Sequence, residues 1–230
     1  KKVAWMSDKA KQLAAGAAVA LVEDGMRLGI GTGSTAEHFI RLLGERVRNG
    51  LAVSGVATSE RSAELCRQLG IALTNLDETP VLDLAVDGAD EFDGALNLIK
   101  GGGGALLREK IVAGAAKRFV VIADASKQVA VLGAFPLPVE IIPMARQPLS
   151  GRLQDMGAVV TLRQAADGKP FRTDENHWIL DCAFGPSIAD PAGLAQTLST
   201  WPGVVEHGLF CGMTEQVLLG NDNNVAVITG

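Results

Sequence analysis

Cysteine is scarce in this sequence, with three residues in 230: Cys66, Cys182 and Cys211. They lie far apart in the chain and show neither the paired spacing of a zinc site nor that of a redox motif. We therefore expect ordinary buried or half-buried thiols, which excludes a cysteine-based metal or redox centre.

Long apolar runs and basic runs are also missing. No run reaches the roughly 18 apolar residues that a membrane-spanning helix needs, and the lysine-rich start lacks the apolar core of a secretion signal. The net charge is −5 and no stretch of the chain is strongly basic, which argues against a nucleic-acid-binding surface. The sequence thus predicts a soluble cytoplasmic protein with no nucleic-acid or membrane partner, whose anionic ligands are small.

Hydrophobic residues make up 47% of the chain, enough to bury a core. Helix-like and strand-like segments alternate as far as about residue 130, which predicts βαβ units and a parallel sheet with helices on both faces. From Pro136 the order becomes β-α-β-β-α-β, which is typical of a ferredoxin-like domain. We therefore predict an α/β fold: a doubly wound, mostly parallel, Rossmann-like catalytic domain over residues 1–134, to whose sheet residues 211–230 return, and a smaller ferredoxin-like α+β domain over residues 135–210.

A glycine-rich segment follows the first predicted strand and opens a predicted helix: Gly31-Thr32-Gly33-Ser34-Thr35-Ala36. Its backbone amides, its hydroxyls and the positive end of the helix favour a phosphate site. The segment also matches G-x-G-x-x-A, a dinucleotide-binding fingerprint, but Thr58 and Ser59 stand where such a site usually places an acid. Glu60 is near enough to keep dinucleotide binding open as an alternative.

Carboxylates cluster around the end of an apolar run at Val86. Asp87 and Asp90 follow the strand at its carboxyl end, where ligands bind in open α/β sheets, and we interpret both as functional. The neighbouring acids could supply oxygen ligands to magnesium, but their spacing fits no calcium loop and no histidine flanks them. We therefore predict no metal site and interpret Asp83 and Asp93 as solvated turn acids.

Lys100 stands directly before four glycines, which strip side chains from the backbone beside it and expose amides. Glu109 follows in the next predicted helix, where a solvent-facing glutamate on a charged helix face is the alternative interpretation. Lys127 comes just after another apolar strand and places a cation at the same edge as the first glycine motif. Lys11, in the first helix, is a solvated lysine unless the fold brings it over the site.

These motifs occur together and in a fixed order, and their combination resembles ribose-5-phosphate isomerase of the A type. The resemblance covers nearly the whole chain and rests on segments that the sequence contains in the following order: Gly31-Thr32-Gly33-Ser34-Thr35-Ala36, Val86-Asp87-Gly88-Ala89-Asp90-Glu91, Ile99-Lys100-Gly101-Gly102-Gly103, Arg108-Glu109-Lys110, Ala123-Asp124-Ala125-Ser126-Lys127 and Pro136-Leu137-Pro138-Val139-Glu140. Several separate motifs in order are far more specific than any single one.

The resemblance implies an aldose–ketose isomerase of the pentose phosphate pathway that needs no metal and no cofactor. Its implied substrate is a small phosphorylated sugar: it would interconvert D-ribose 5-phosphate and D-ribulose 5-phosphate through an enediolate. It further implies a homodimer or a dimer of dimers.

The same resemblance implies roles for individual residues. Glu109 matches the general base, Asp87 the acid that helps to open the sugar ring, Lys100 a group that stabilises the enediolate, and Asp90 a carboxylate that binds a hydroxyl. Lys11 matches a lysine that contacts the phosphate. The remaining substrate-binding positions implied by the match are Gly31, Thr32, Gly33, Ser34, Thr35, Gly88, Ala89, Gly101, Gly102, Gly103 and Lys127.

Two other classes of function remain as competing hypotheses. A nucleotide-dependent oxidoreductase is motivated by the first glycine motif and the doubly wound pattern, and it predicts binding of NAD(H). A non-catalytic sugar-phosphate sensor would need a DNA-binding module, for which the single short helix before Gly31 leaves no room.

Overall fold

The computed structural model of the protein describes residues 2–230, with side chains from Asp8 onward. Its helices and strands follow one another in this order: α1 Lys2–Ala20, β1 Arg27–Ile30, α2 Ser34–Arg48, β2 Ser54–Ala57, α3 Glu60–Gln68, β3 Ala72–Leu73, β4 Leu84–Asp87, β5 Glu91–Phe92, β6 Leu98–Ile99, α4 Leu106–Gly114, β7 Phe119–Asp124, β8 Leu137–Ile141, α5 Arg146–Asp155, β9 Val159–Leu162, β10 Trp178–Ala183, α6 Pro191–Ser199, β11 Val204–His207, β12 Leu209–Phe210, β13 Gln216–Gly220 and β14 Val225–Thr229. Within residues 2–230, no helix combines the length and the apolar character that a membrane span requires.

The chain divides into two compact units. The first comprises the chain up to Ala89 together with Arg108–Gln128 and Met213–Gly230, and the second comprises Asp90–Leu107 and Val129–Gly212. The segment Asp90–Leu107 is thus grouped with the second unit, whereas the sequence predicts it as part of the first domain. Compactness is no measure of which segments fold independently, so the domain boundaries themselves stay a prediction.

A seven-stranded sheet runs through the first unit in the order β14-β13-β7-β4-β1-β2-β3. Its neighbouring strands are parallel except for the antiparallel pair β13–β14. Every residue of the central strands β4 and β7 is buried, which explains their uninterrupted apolar runs. From β1 the chain adds β2 and β3 on one side and then β4 and β7 on the other. The carboxyl ends of the parallel strands β1 and β4 therefore form the switch point at which open α/β sheets bind ligands.

The second unit contains a four-stranded antiparallel sheet in the order β11-β8-β10-β9. Helix α5 connects β8 to β9 and α6 connects β10 to β11, which is the β-α-β-β-α-β order expected of a ferredoxin-like domain. Its core includes the fully buried side chains of Val139, Ile141, Leu153 and Leu198. The predicted fold class, a mostly parallel doubly wound sheet with a smaller α+β domain, is confirmed.

A small sheet of two-residue strands, in the order β12-β6-β5, completes the second unit and was not predicted. Glu91 in β5 is buried, and its two carboxylate oxygens accept hydrogen bonds from the N–H groups of Gly133 (2.8 Å) and Phe135 (2.6 Å). This acid of the predicted cluster therefore fixes a loop of its own unit.

Candidate active site

Gly31 and Asp87 lie next to each other at the switch point. The N–H of Gly31, just after β1, donates to the carbonyl of Val86 (2.9 Å), and a Cβ at position 31 would collide with the Asp87 carboxylate. Asp87 is buried, and its Oδ1 accepts hydrogen bonds from the N–H groups of Thr32 (3.1 Å) and Gly88 (2.7 Å). These bonds fix the orientation of the carboxylate at the end of β4.

A cluster of hydroxyls holds the glycine-rich segment in place. The Oγ1 of Thr32 lies 2.7 Å from Thr58 Oγ1 and from Ser59 Oγ, and 3.1 Å from Ser62 Oγ. Ser62 in turn donates to the carbonyl of Gly31 (2.8 Å). Sequence reasoning missed this cluster, although Ser59 carried a signal as the N-cap of α3, whose side chain accepts from the N–H of Ser62.

The start of α2 brings Lys11 to the same segment. Gly33 precedes the helix with a φ of 118°, a left-handed conformation that favours glycine, and Ser34 is the first helical residue. The Nζ of Lys11 donates to Ser34 Oγ (3.0 Å). The fold therefore places a cation, a hydroxyl and the positive end of a helix together, as a phosphate site requires.

The end of β7 carries the other predicted cation of the first unit. Asp124 closes the strand and its Oδ1 accepts from the N–H of Ser126 (2.9 Å), which fixes the 3-10 turn Ala125–Lys127. Lys127 is half-buried in this turn. Because β7 pairs with β4 in parallel, the turn lies at the same edge of the sheet as Asp87.

Glu109 is a buried carboxylate in the first turn of α4. The helix packs against the sheet at Gly29 of β1, where a Cβ would lie 2.5 Å from Val112 Cγ1 and 2.8 Å from Ala85 Cβ. Gly29 thus permits a close approach of α4, and Val112 lies one helical turn beyond Glu109. The alternative of a solvent-facing glutamate on a charged helix face is wrong.

Lys100 and the glycines belong to the second unit. Lys100 is only 2% exposed, and its Nζ lies 5.5 Å from the centre of the Phe210 ring. Gly101 has a φ of 100°, and the N–H of Gly102 donates to Asp90 Oδ2 (2.7 Å). One of the three glycine amides expected to contact substrate is therefore already bonded to the protein.

The remaining acids of the sequence cluster have structural partners. Arg27 and Lys117 bond the Asp83 carboxylate, and the Arg27 hydrogen bonds above all hold the pKa of Asp83 well below its usual range. Asp93 accepts from the backbone N–H groups of a turn at residues 95–97. Among the described residues, no group of three or more His, Cys, Asp or Glu side chains could hold a metal ion.

The cysteines match the expectation of ordinary thiols: Cys66 and Cys182 are buried and Cys211 is half-buried. Burial raises the pKa of the Cys66 thiol to about 11 and that of Cys182 to about 12. Both are therefore protonated at neutral pH and poor nucleophiles.

Each unit thus carries a part of the predicted site. The first unit brings Lys11, Ser34, Thr32 and Asp87 into one set of contacts, and it also carries Glu109 and Lys127. The second unit carries Lys100, Asp90 and the glycines that follow Lys100. Glu60 is the acid that kept dinucleotide binding open as an alternative, and it accepts a hydrogen bond from Arg108 (2.8 Å).

Comparison with known proteins gives one consistent answer. The sequence model of the family described as ribose 5-phosphate isomerase A (phosphoriboisomerase A) matches residues 54–224. The chain is 54% identical over 228 residues to the ribose-5-phosphate isomerase A of Parvibaculum lavamentivorans, covering 96% of this chain and 98% of the relative. The corresponding protein of Agrobacterium fabrum is 56% identical over 219 residues, covering 90% and 91%.

Solved structures agree with this result. A D-ribose-5-phosphate isomerase in complex with phospho-erythronic acid superposes with a TM-score of 0.94 at 38% identity, covering 97% of this chain and 99% of the other. The ribose 5-phosphate isomerase A of Methanocaldococcus jannaschii superposes with a TM-score of 0.92 at 42% identity, covering 96% and 98%. The oxidoreductase and sensor hypotheses are therefore set aside: the chain belongs to the ribose 5-phosphate isomerase A family.

Proposed function

We propose that the protein, an isomerase of this family, interconverts D-ribose 5-phosphate and D-ribulose 5-phosphate through an enediolate, with Glu109 as the proton carrier. The observation that carries the proposal is a pair of carboxylates buried in the same unit. Asp87 is 3% exposed at the end of β4, and Glu109 is 5% exposed in the first turn of α4. Isomerisation needs one group to help open the sugar ring and another to move a carbon-bound proton.

Glu109 suits the second task. The base removes the proton from C2 of the open aldose and, once protonated, delivers a proton to C1, while the hydroxyl proton on O2 passes to O1. A base positioned in this way is worth roughly 100-fold to 10,000-fold in rate. The first turn of a helix also stabilises a negative charge by about 0.3–1 kcal/mol, which favours the carboxylate form.

Asp87 suits the ring-opening step. The furanose opens when a proton is taken from the hydroxyl on C1 and the ring oxygen is protonated. The two backbone N–H groups that bond its Oδ1 hold the carboxylate in one orientation, so it need not reorganise during the step. Asp90, three residues further along the chain, is proposed to bind a substrate hydroxyl.

Lys100 and the glycine amides supply donors for the enediolate oxygens. Such pre-aimed donors contribute about 3 kcal/mol each to an oxyanionic transition state. The amide of Gly102 is engaged by Asp90, and among the described residues none accepts a hydrogen bond from the N–H of Gly101 or Gly103. We therefore assign the oxyanion role to Lys100 and to these two amides.

The phosphate group is proposed to bind at the start of α2. Lys11, Ser34 and the backbone of the glycine-rich segment gather there, and Thr35 and Lys127 complete the substrate-holding set. A solved relative binds phospho-erythronic acid, a phosphorylated sugar acid, which supports a phosphorylated sugar as the ligand of this chain too. The cytoplasmic location stays a prediction from the composition, and the homodimer or dimer of dimers stays a prediction that follows from the resemblance.

Turnover without a metal or cofactor tests the proposed function. Ketopentose formation from D-ribose 5-phosphate should proceed in excess EDTA, with no added cofactor, at the rate seen without the chelator. The control is the same assay after EDTA has been removed by dialysis and magnesium added. Absence of turnover in every condition would overturn the proposal, and a shift of the melting temperature by NAD(H) would then favour an oxidoreductase.

Adding a methyl group at Gly29 should displace the proposed base, Glu109, although Gly29 does not contact it. The Cβ of Gly29→Ala would push against Val112 and Ala85, so α4 must move. Displacing a catalytic group by about 1 Å can cost 100-fold in rate, and overpacking typically costs about 1–3 kcal/mol of stability. We expect kcat to fall by about tenfold or more in the activity assay. The free energy of unfolding in urea, measured alongside, reports the cost in stability.

Gly114→Ala is the matched control, since it lies on the same helix and a Cβ there meets nothing within 4 Å. It should leave kcat unchanged. Combining Gly29→Ala with Val112→Ala removes the nearer obstacle and should restore part of the rate. An unchanged kcat in Gly29→Ala would show that the packing of α4 does not position Glu109.

A further inference from the structure

Arg163 is a half-buried cation of the second unit, and the proposed isomerisation mechanism assigns it no role. It follows β9, and its guanidinium bonds both carboxylate oxygens of Asp181 in β10, from Nε at 2.9 Å and from Nη2 at 2.5 Å. Its side chain is 14% exposed, and its Cζ lies 5.9 Å from the centre of the Phe171 ring. Two-point bonding to a carboxylate fixes the plane of the guanidinium.

The remaining nitrogen of this fixed group holds the glycine segment. The Nη1 of Arg163 donates to the carbonyl of Gly101 (2.8 Å) and to that of Gly102 (3.2 Å). Phe171 adds a second constraint, since a Cβ at Gly104 would lie 2.5 Å from its ring. Consecutive glycines lose more conformational freedom on ordering than any other residues, so these contacts decide how the segment is held.

Peptide planarity converts these carbonyl contacts into control of the amides. In a trans peptide the C=O of one residue and the N–H of the next lie in one plane and point in opposite directions. Holding the Gly101 carbonyl therefore aims the N–H of Gly102 away from Arg163, where Asp90 accepts it. Holding the Gly102 carbonyl aims the N–H of Gly103 away from Arg163 in the same manner.

We infer that Arg163 is a positioning residue for the isomerisation: it aims the N–H of Gly103 at the enediolate oxygen and places its charge behind that peptide. A cation bonded to the carbonyl also polarises the peptide and makes its N–H a stronger donor. The inference rests on the proposed function, in which the glycine amides stabilise the enediolate. It predicts an effect on the transition state that exceeds the effect on substrate binding.

Arg163→Met tests the inference, because methionine keeps the apolar stem and removes the guanidinium. We expect kcat to fall by about 10- to 100-fold, somewhat less than the loss of an oxyanion donor, while KM changes by less than about threefold. Inhibition by phospho-erythronic acid, whose carboxylate presents two coplanar oxygens as the enediolate does, should weaken by a factor similar to the loss in kcat. Arg163→Lys keeps the charge but loses the two-point bonding of the guanidinium. Its kcat and inhibition should lie between those of the unaltered protein and those of Arg163→Met.

Arg172→Met is the matched control, since Arg172 is an exposed arginine of the same unit that bonds Asn176 four residues away. It should change neither kcat nor inhibition. If Arg163→Met does not fold, Asp181→Asn loosens the same guanidinium and should show a smaller loss in which inhibition still tracks kcat. A lower melting temperature with unchanged kcat and inhibition would overturn the inference, whereas absence of turnover in the unaltered protein would overturn the proposed function instead.

Discussion

Glu109→Gln should lower kcat by about 100-fold to 10,000-fold and leave KM within about threefold. The amide keeps the shape of the side chain in its buried place but cannot accept the proton from C2, so the whole contribution of a positioned base is lost. Steady-state ketopentose formation measures this directly. Loss of deuterium from C2-deuterated ribose 5-phosphate into water should fall by a similar factor, because the same step limits both.

Glu64→Gln is the control for this substitution, since Glu64 is an exposed glutamate on α3 in the same unit. It should be indistinguishable from the unaltered protein. The Glu109→Gln variant should still bind phospho-erythronic acid, which separates loss of chemistry from loss of the site. Activity retained within about tenfold would remove Glu109 from the role of base.

Lys100→Met should lower kcat by about 100-fold to 1,000-fold, the usual loss on removal of an oxyanion donor. Lys100 is almost completely buried, and its ammonium lies over the Phe210 ring, so methionine can fill the space of its stem without the charge. Binding of phospho-erythronic acid should weaken by a comparable factor, since a bound carboxylate would lose the same donor. The rate and the inhibition constant are the measurements.

Lys169→Met provides the comparison, because Lys169 is an exposed lysine of the second unit. It should leave both constants unchanged. Lys100→Arg should not restore the rate, since the larger planar guanidinium cannot present its donors where the compact ammonium of this buried lysine does. A kcat within about tenfold of normal in Lys100→Met would leave the glycine amides as the sole oxyanion donors.

The two main sheets could be predicted because their strands carry strong periodic or continuous apolar signals. Buried parallel strands such as β4 and β7 read as unbroken apolar runs between glycine and helix signals. The strands β5, β6 and β12 have two residues each, too few to show a period, so the small sheet left no trace in the sequence pattern. Two of these strands, β5 and β6, lie within Asp90–Leu107, and without them the sequence predicts that segment as part of the first domain.

The candidate site was predictable where residues follow strands and unpredictable where distant segments meet. Asp87 and Lys127 could be assigned to one edge because parallel strands end together. Arg163 reaches the glycines from some sixty residues further along the chain, and no local pattern marks that contact. Gly31 was predicted for its exposed amide, whereas the structure adds a different reason: its missing side chain leaves room for the Asp87 carboxylate.

The position of β13 in the sheet has a consequence for the newborn polypeptide. β7, buried along its whole length, pairs on one side with β13, which the ribosome makes nearly a hundred residues later. Until then its edge presents unpaired backbone groups on an apolar strand, the kind of surface through which nascent chains associate wrongly. The residues made in the interval mostly belong to the second unit. Translation that stalls before β13 would therefore leave the chain most vulnerable to aggregation at β7, the strand that carries Asp124 at its end.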